Sequence, residues 1–212
     1  MIGIVDYGMG NLFSVDKALE RIGVPHFISS KREELESADG LILPGVGSFK
    51  DAMHILKETG LAAFLDGYVQ SGKPLLGICL GMQLLFEESE ENGFSKGLGY
   101  LPGTVKEIPS RNEAGEAFKV PHMGWNQLIF KRDSQLLEGL EEENVYFVHS
   151  YFVDGIDEND LIASAQYSVM VPAVVEKDNV YGMQFHPEKS SRLGMALLKN
   201  FTELVLEKES QS

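Results

Sequence analysis

The chain has 212 residues, of which 43% are hydrophobic and 24% are charged, as in a soluble globular protein with a substantial core. Its formal net charge of −14 argues against a nucleic-acid-binding protein, because such proteins cluster Lys and Arg. The single cysteine excludes an intramolecular disulfide framework. No signal-peptide pattern is present, and no apolar run approaches the roughly 20 residues of a membrane helix. We therefore expect a cytoplasmic protein without membrane contact.

The first half of the chain alternates between predicted strands and helices. Apolar strand runs are predicted at 2–5, 25–28, 41–43 and 74–78. Helices are predicted at 12–22, 49–56 and 61–69, and directly after residue 79. Continuous apolar strands that alternate with helices indicate a parallel sheet covered by helices on both faces.

The second half is richer in strands. These are predicted at 127–130, 145–153, 161–165, 173–175 and 180–185, before a closing helix that carries Leu193, Leu197, Phe201 and Leu204 on one face. No repeat or linker marks a second domain. The predicted fold is therefore α/β, with one domain over residues 1–212. It has an open, mainly parallel sheet and some antiparallel strands in the second half.

The only cysteine lies at a predicted strand-to-helix junction, in Gly77-Ile-Cys-Leu-Gly-Met-Gln83. A sharp turn there exposes the residue at its apex and needs small neighbours, as in the nucleophile elbow of hydrolases. The positive end of the helix favours a thiolate at Cys79, and the Leu80 amide would face a developing oxyanion. The alternative is a cysteine used as a small core residue. The flanking glycines favour the nucleophile.

A thiolate nucleophile needs a base, and His186 is the best candidate. It ends a predicted strand, where open α/β sheets place their sites, and Glu188 is close enough to hold its imidazole. His149 is the rival base and ranks second, because no acidic residue lies within two positions of it. Spacing alone does not bring His186 to Cys79, so a purely structural histidine stays open.

Two further features complete the reading from the residues alone. Pro44-Gly-Val-Gly47 ends the third predicted strand at the edge of the sheet that carries the elbow. One of its amides would complete an oxyanion hole, although an ordinary turn is the alternative. The five histidines are scattered without metal-ligand spacing, so we predict no metal and no cofactor.

Together these motifs resemble the class I glutamine amidotransferases, which release ammonia from glutamine through a cysteine-bound glutamyl intermediate. The resemblance rests on the elbow at 77–83, His186-Pro-Glu188, Asp6-Tyr-Gly-Met-Gly-Asn11, Pro44-Gly-Val-Gly-Ser-Phe49, Pro121-His-Met-Gly-Trp-Asn126, Tyr146-Phe-Val-His-Ser-Tyr151 and Phe185-His-Pro-Glu-Lys-Ser190. Because these motifs span nearly the whole chain in order, they are more specific than any one alone. The resemblance implies a flavodoxin-like glutaminase fold.

The resemblance also implies a role for individual residues. The implied catalytic triad is Cys79 as nucleophile, His186 as general acid and base, and Glu188 as its orienting group. The implied oxyanion donors are the amides of Leu80 and of Val46 or Gly47, after the segment that carries the latter two has turned. The implied groups that bind glutamine are Gln83, Glu91 and the backbone of Ser150 and Tyr151.

Finally, the resemblance implies a partner protein. Members with these finer motifs pass ammonia through a tunnel to a phosphate-binding (β/α)₈ cyclase, as a heterodimer of histidine biosynthesis. The implied interface residues are Asn11, Met123, Trp125, Tyr146 and Lys189. Three alternatives stay open: a glutaminase subunit of another amidotransferase, a thiol hydrolase of similar fold, and a non-catalytic interaction module that keeps the elbow only as structure.

Overall fold

The structure is a computed structural model that describes residues 1–210, so residues 211 and 212 of the predicted domain lie outside the described part. The strands are β1 (Ile2–Val5), β2 (His26–Ser29), β3 (Gly40–Leu43), β4 (Leu75–Ile78), β5 (Phe86–Ser89), β6 (Ser95–Lys96), β7 (Leu101–Glu107), β8 (His122–Gln127), β9 (Ile129–Phe130), β10 (Asn144–His149), β11 (Tyr151–Asp154), β12 (Leu161–Gln166), β13 (Met170–Lys177) and β14 (Val180–Met183). The α-helices are α1 (Leu12–Ile22), α2 (Arg32–Glu36), α3 (Phe49–Glu58), α4 (Leu61–Gln70), α5 (Leu80–Leu84) and α6 (Ser191–Ser210), and short 3₁₀ helices lie at Gln135–Leu137, Glu158–Asp160 and Pro187–Lys189.

The main sheet has eight strands in the order β2-β1-β3-β4-β14-β13-β12-β9. The five strands from β2 to β14 pair in parallel. From β14 onward, β13, β12 and β9 pair antiparallel. This arrangement confirms the predicted mainly parallel α/β fold with antiparallel strands in the second half.

Helices cover both faces of the sheet, as its side chains indicate. Successive strand residues point to opposite faces, so Ile42 packs in the cluster that contains α1 and α6. Its neighbours Leu41 and Leu43 pack in the cluster that contains α3 and α4. Both sides of the central strands are therefore buried, which explains their continuous apolar sequences.

Two smaller sheets accompany the main one. Strands β8 and β10 form an antiparallel ribbon, and β11, β7, β5 and β6 form a four-stranded sheet. The single strand predicted at 145–153 is therefore wrong: β10 ends at His149, β11 begins at Tyr151, and the two join different sheets. An apolar pattern cannot reveal such a change of partner strand. Within residues 1–210, no helix combines the length and apolar character needed to cross a membrane.

Candidate active site

The candidate site lies where three neighbouring strands of the main sheet end. The segment Pro44–Gly47 follows β3, Cys79 follows β4, and His186 follows β14 by three residues. Strand β4 pairs with β3 on one side and with β14 on the other, in parallel, so the carboxyl ends meet at one edge. The sheet thus brings together segments that are far apart in sequence.

Cys79 occupies a sharp turn with a strained backbone. Its φ is 55° and its ψ is −116°, although it carries a side chain. A Cβ on Gly77 would lie 2.5 Å from the Gly81 carbonyl oxygen, and a Cβ on Gly81 would overlap the carbonyl oxygen of Leu43. The backbone therefore needs both glycines, for the reason that the sequence predicted. The Cys79 amide donates to the Met183 carbonyl oxygen at 2.8 Å, which ties the turn to β14.

His186 and Glu188 form a buried pair beside the thiol. His186 Nδ1 lies 2.8 Å from Glu188 Oε1, and the two side chains are 5% and 1% exposed. Burial lowers the pKa of His186, but hydrogen bonds with Cys79 and Glu188 outweigh it and raise that pKa to about 9. With Nδ1 directed at the carboxylate, Nε2 is left for the thiol. The structure therefore brings the three predicted triad residues together.

The predicted oxyanion groups lie next to Cys79, but the Leu80 amide already has a partner. It donates to the Gly45 carbonyl oxygen at 3.3 Å. In the same segment, the Tyr7 hydroxyl donates to the Pro44 carbonyl oxygen at 2.7 Å. Val46 is 44% exposed at the cavity, and Gly47 has a φ of 100°.

A cavity of about 310 Å³ opens over the thiol. Its lining residues are Val46, Gly47, Cys79, Leu80, Gln83, Glu91, Val148, His149, Ser150, Tyr151 and His186. Every predicted catalytic, oxyanion and substrate-binding residue except Glu188, which pairs with His186, is among them. Within residues 1–210, no three His, Cys, Asp or Glu side chains are placed to hold a metal ion.

Two of the polar side chains that line this cavity are Gln83 and Glu91. Gln83 Nε2 donates to the Tyr151 carbonyl oxygen and to Gln184 Oε1, both at 3.1 Å. Glu91 accepts from the Phe49 amide at 3.3 Å, and burial raises the pKa of its carboxyl. A half-buried carboxylate beside backbone groups suits a small zwitterionic ligand.

The rival base His149 also lines the cavity, but its contacts do not suit proton transfer at the thiol. Its Nδ1 lies 2.7 Å from the Tyr151 carbonyl oxygen, and its Nε2 lies 2.8 Å from His122 Nδ1. Burial lowers the pKa of His149 to about 3. Both ring nitrogens are therefore engaged away from Cys79.

The sequence reading missed Gln184, whose side chain is fully buried. Its Nε2 lies 4.0 Å from the sulfur of Cys79, and its Oε1 accepts from Gln83. It precedes His186 by two residues and so points to the same face of the extended chain. The two-residue spacing from His186 is the sequence feature that could have identified Gln184.

The predicted interface residues lie at three connected places. Met123 and Trp125 are 62% and 55% exposed on one face of the β8–β10 ribbon, and the ring of Trp125 contacts Tyr146 edge-on at 5.9 Å. Asn11 caps α1 by accepting from the Ser14 amide at 3.2 Å. Lys189 is exposed in the 3₁₀ helix Pro187–Lys189, which packs against both α1 and β10.

Comparisons with known proteins agree with this geometry. A family model described as glutamine amidotransferase class-I matches residues 3–204. The imidazole glycerol phosphate synthase subunit HisH of Geobacillus kaustophilus (strain HTA426) is 64% identical over 201 residues, which are 95% of either chain. The subunit of the same name from Bacillus subtilis (strain 168) is 59% identical over 209 residues, which are 99% of either chain.

Among solved structures, PurLQS from Thermotoga maritima matches with a TM-score of 0.72 at 21% identity, over 98% of both chains. At that identity the likeness supports the fold alone. The family model and the HisH relatives confirm the resemblance predicted from the motifs. The chain belongs to the class I glutamine amidotransferase family, within which it is similar to HisH subunits of imidazole glycerol phosphate synthase.

Proposed function

We propose that this chain is the glutaminase subunit of an imidazole glycerol phosphate synthase and forms a single glutamine amidotransferase domain. The observation that carries the proposal is the strained Cys79 at the end of β4, beside the buried His186–Glu188 pair. A cysteine held at a positive φ between flanking glycines is costly unless its position at the cavity is used. The same turn at a structural cysteine would bring no benefit.

In the first half of the reaction, the Cys79 thiolate attacks the side-chain amide carbon of glutamine. The sulfur–carbon bond forms while the carbonyl electrons move to oxygen, and the tetrahedral intermediate then expels ammonia. His186 supplies the proton to the leaving nitrogen. Its pKa of about 9 supports this role, because the ring is then an imidazolium at neutral pH and has a proton to give.

In the second half, water attacks the thioester carbon and His186 takes the proton of that water. The sulfur–carbon bond then breaks and glutamate leaves, so the thiolate and the imidazolium are restored. Glu188 holds Nδ1 throughout, which keeps Nε2 directed at the reacting atoms. The products are glutamate and ammonia.

Glutamine would lie across the cavity, with its amide at Cys79 and its amino-acid end away from the thiol. Glu91 suits the ammonium group, and the backbone of Ser150 and Tyr151 would pair with the carboxylate end. Gln83 also lines the cavity, and its amide is already held by the Tyr151 carbonyl oxygen and by Gln184. The cavity volume of about 310 Å³ accommodates a free amino acid.

The oxyanion hole requires one backbone rearrangement. The Gly45 carbonyl now accepts from the Leu80 amide. Within one peptide plane the carbonyl and the N–H point in opposite directions. Rotation of the Gly45–Val46 peptide would therefore free the Leu80 N–H and turn the Val46 N–H toward the same place. Until this happens the glutaminase has an incomplete oxyanion hole, which supports low activity in the isolated chain.

The ammonia would pass to a separate (β/α)₈ cyclase in a cytoplasmic heterodimer, whose combined reaction is a lyase reaction of histidine biosynthesis. The names of the relatives describe a subunit of a synthase, and this supports a partner. The exposed Met123 and Trp125, with Tyr146 beside them, supply an apolar patch of the kind found at protein interfaces. Asn11 and Lys189 would border that patch with polar groups.

The proposal is tested by measuring ammonia released from glutamine, first by the purified chain and then with the cyclase and its nucleotide ligand. We expect ammonia release to rise at least a hundredfold in the mixture, because one missing oxyanion donor costs on the order of a hundredfold in rate. Cys79→Ala is the blank and should abolish the release. Equal rates with and without the cyclase would refute the dependence on a partner, and unchanged release by Cys79→Ala would refute the triad.

A further inference from the structure

Two histidines that the proposed mechanism does not use lie side by side under the β8–β10 ribbon. His122 and His149 are opposite each other in the strand register and are 3% and 6% exposed. His122 Nδ1 is 2.8 Å from His149 Nε2, so one ring must donate to the other. Both rings are buried, and each nitrogen of the contact needs a defined role.

The direction of this hydrogen bond follows from the contact that the other ring nitrogen of His149 makes. His149 Nδ1 lies 2.7 Å from the Tyr151 carbonyl oxygen, and a carbonyl oxygen only accepts, so Nδ1 carries the hydrogen. Burial lowers the pKa of His149 to about 3 and that of His122 to about 4. Both rings are therefore neutral with one N–H each. His149 Nε2 has no hydrogen and accepts from His122 Nδ1–H.

The other ring nitrogen of His122 also has a defined partner, the side chain of Asn126. Asn126 Oδ1 accepts from the Gln127 amide at 2.8 Å, which fixes the orientation of the side-chain amide. Asn126 Nδ2 then donates to the Gln166 carbonyl oxygen at 2.9 Å and lies 3.3 Å from the hydrogen-free Nε2 of His122. The resulting order of donors runs from Asn126 through His122 and His149 to the Tyr151 carbonyl.

Packing holds the His122 ring in place. It is stacked between Phe147, with ring centroids 4.6 Å apart, and Tyr167, with ring centroids 4.1 Å apart. The interplanar angles are 22° and 23°, so both contacts are nearly parallel. A ring clamped on both faces can turn only in its own plane, and its two hydrogen-bond partners oppose that turn.

The row of hydrogen bonds ends at the Tyr151 carbonyl, and Tyr151 lines the proposed substrate cavity. The Tyr151 carbonyl accepts from Gln83 Nε2 at 3.1 Å as well as from His149, and Ser150 and Tyr151 line the same cavity as Cys79. We propose that His122 and His149 are a positioning pair that holds the Ser150–Tyr151 backbone in register for the amino-acid end of glutamine. This inference rests on the proposed function. Neither histidine is a catalytic residue.

The position of the pair also connects two surfaces of the ribbon. Side chains alternate along a strand, so His122 points inward while Met123 and Trp125 point outward on the proposed partner face. The glutamine-binding backbone therefore rests on the same strands that would contact the cyclase. Loss of the pair should weaken glutamine binding and leave the chemical step unchanged.

The test is His122→Phe, which keeps the aromatic stack and removes both ring nitrogens. In the complex with the cyclase, we expect KM for glutamine to rise about fivefold, since a lost hydrogen bond is worth roughly 1 kcal/mol and tenfold corresponds to about 1.4 kcal/mol, while kcat stays within about twofold. The matched control is His54→Phe, an exposed histidine of α3, which should change neither parameter. His149→Asn, whose side-chain N–H can replace Nδ1–H, should retain a lower KM than His149→Ala.

A second measurement is independent of activity. In the ¹⁵N spectrum of the histidine-labelled chain at neutral pH, His122 and His149 should both be neutral Nδ1–H tautomers. In His122→Phe, His149 should keep its Nδ1–H toward the Tyr151 carbonyl, while the resonance of its hydrogen-free Nε2 should shift because that nitrogen has lost its donor. The ¹⁵N spectrum of the unsubstituted chain tests the predicted tautomers of His122 and His149 even if His122→Phe fails to fold.

The proposal is overturned by an unchanged KM in His122→Phe, by a fall in kcat alone, or by a charged or Nε2–H His149 in the unsubstituted chain. If the proposed function itself is wrong, the measurements give a different result. In that case the unsubstituted chain with the cyclase would release no ammonia, while the tautomers would still report on the pair.

Discussion

The amide of Leu80 donates a hydrogen bond to the carbonyl oxygen of Gly45 at 3.3 Å, directly beside the aligned Cys79 and His186. The nucleophile and its base are thus in place while the proposed oxyanion donor is occupied. These two parts of the site can be separated experimentally, because some reactions of a thiolate need no oxyanion hole.

Alkylation by iodoacetamide is such a reaction, since it displaces iodide without forming an oxyanion. We expect Cys79 to be alkylated at rates within about threefold in the isolated chain and in the cyclase complex, whereas ammonia release differs at least a hundredfold. The measurement is the second-order rate constant by mass spectrometry, with Cys79→Ala as the blank. A hundredfold difference in alkylation would mean that the triad itself is assembled by the partner.

Tyr7→Phe removes the hydroxyl that donates to the Pro44 carbonyl oxygen. Leaving that buried carbonyl unpaired should lower the free energy of unfolding by roughly 1–3 kcal/mol, and should reduce the partner-stimulated rate because the oxyanion segment loses an anchor. Tyr68→Phe is the matched control, since Tyr68 donates to the Ala38 carbonyl oxygen at 2.8 Å and does not line the cavity. It should lose less stability in urea unfolding, because the Ala38 carbonyl oxygen also accepts from Lys73 Nζ at 3.1 Å, and it should retain full glutaminase activity. Equal activity of the two variants would contradict a role for Tyr7 at the site.

The raised pKa of His186 makes stability depend on pH in a defined direction. Because the pKa is about 9 in the folded protein and 6.5 as the unperturbed value, the contribution of the imidazolium is fully present below pH 6.5. It is lost as the pH rises through about 9. We expect the difference in unfolding free energy between the unsubstituted chain and His186→Asn to shrink between pH 6 and pH 10. A difference that grows over this range would show that His186 is held neutral.

Gly81→Ala should disrupt the elbow, because the added Cβ would overlap the carbonyl oxygen of Leu43. We expect a loss of glutaminase activity and a destabilisation of roughly 1–3 kcal/mol or more, as for overpacked cores. The matched control is Gly67→Ala in α4, where the added Cβ meets nothing within 4 Å. That variant should be stabilised by roughly 0.5–1 kcal/mol through helix propensity. Thermal unfolding and ammonia release distinguish the two, and a fully active Gly81→Ala would contradict the need for glycine there.

Local patterns predicted much of the main sheet, since apolar runs and helical spacing are read from neighbouring residues. The region from β5 to β7 was not predicted, because α5 ends at Leu84 and the chain enters a strand at Phe86 without a turn signal. The break at Ser150 was missed for a similar reason. The apolar pattern continues across it, while the pairing partner changes.

What the sequence by itself determined is the elbow at Cys79 and the pairing of His186 with Glu188. Both depend on residues within two positions of one another, where backbone sterics and side-chain reach leave few choices. Only the tertiary structure decided the rest. The register of β8 on β10 brings His122 to His149, and the parallel pairing of β3 with β4 brings the Gly45 carbonyl to the Leu80 amide. These contacts join distant segments, and sheet pairing, which no local pattern encodes, sets their distances.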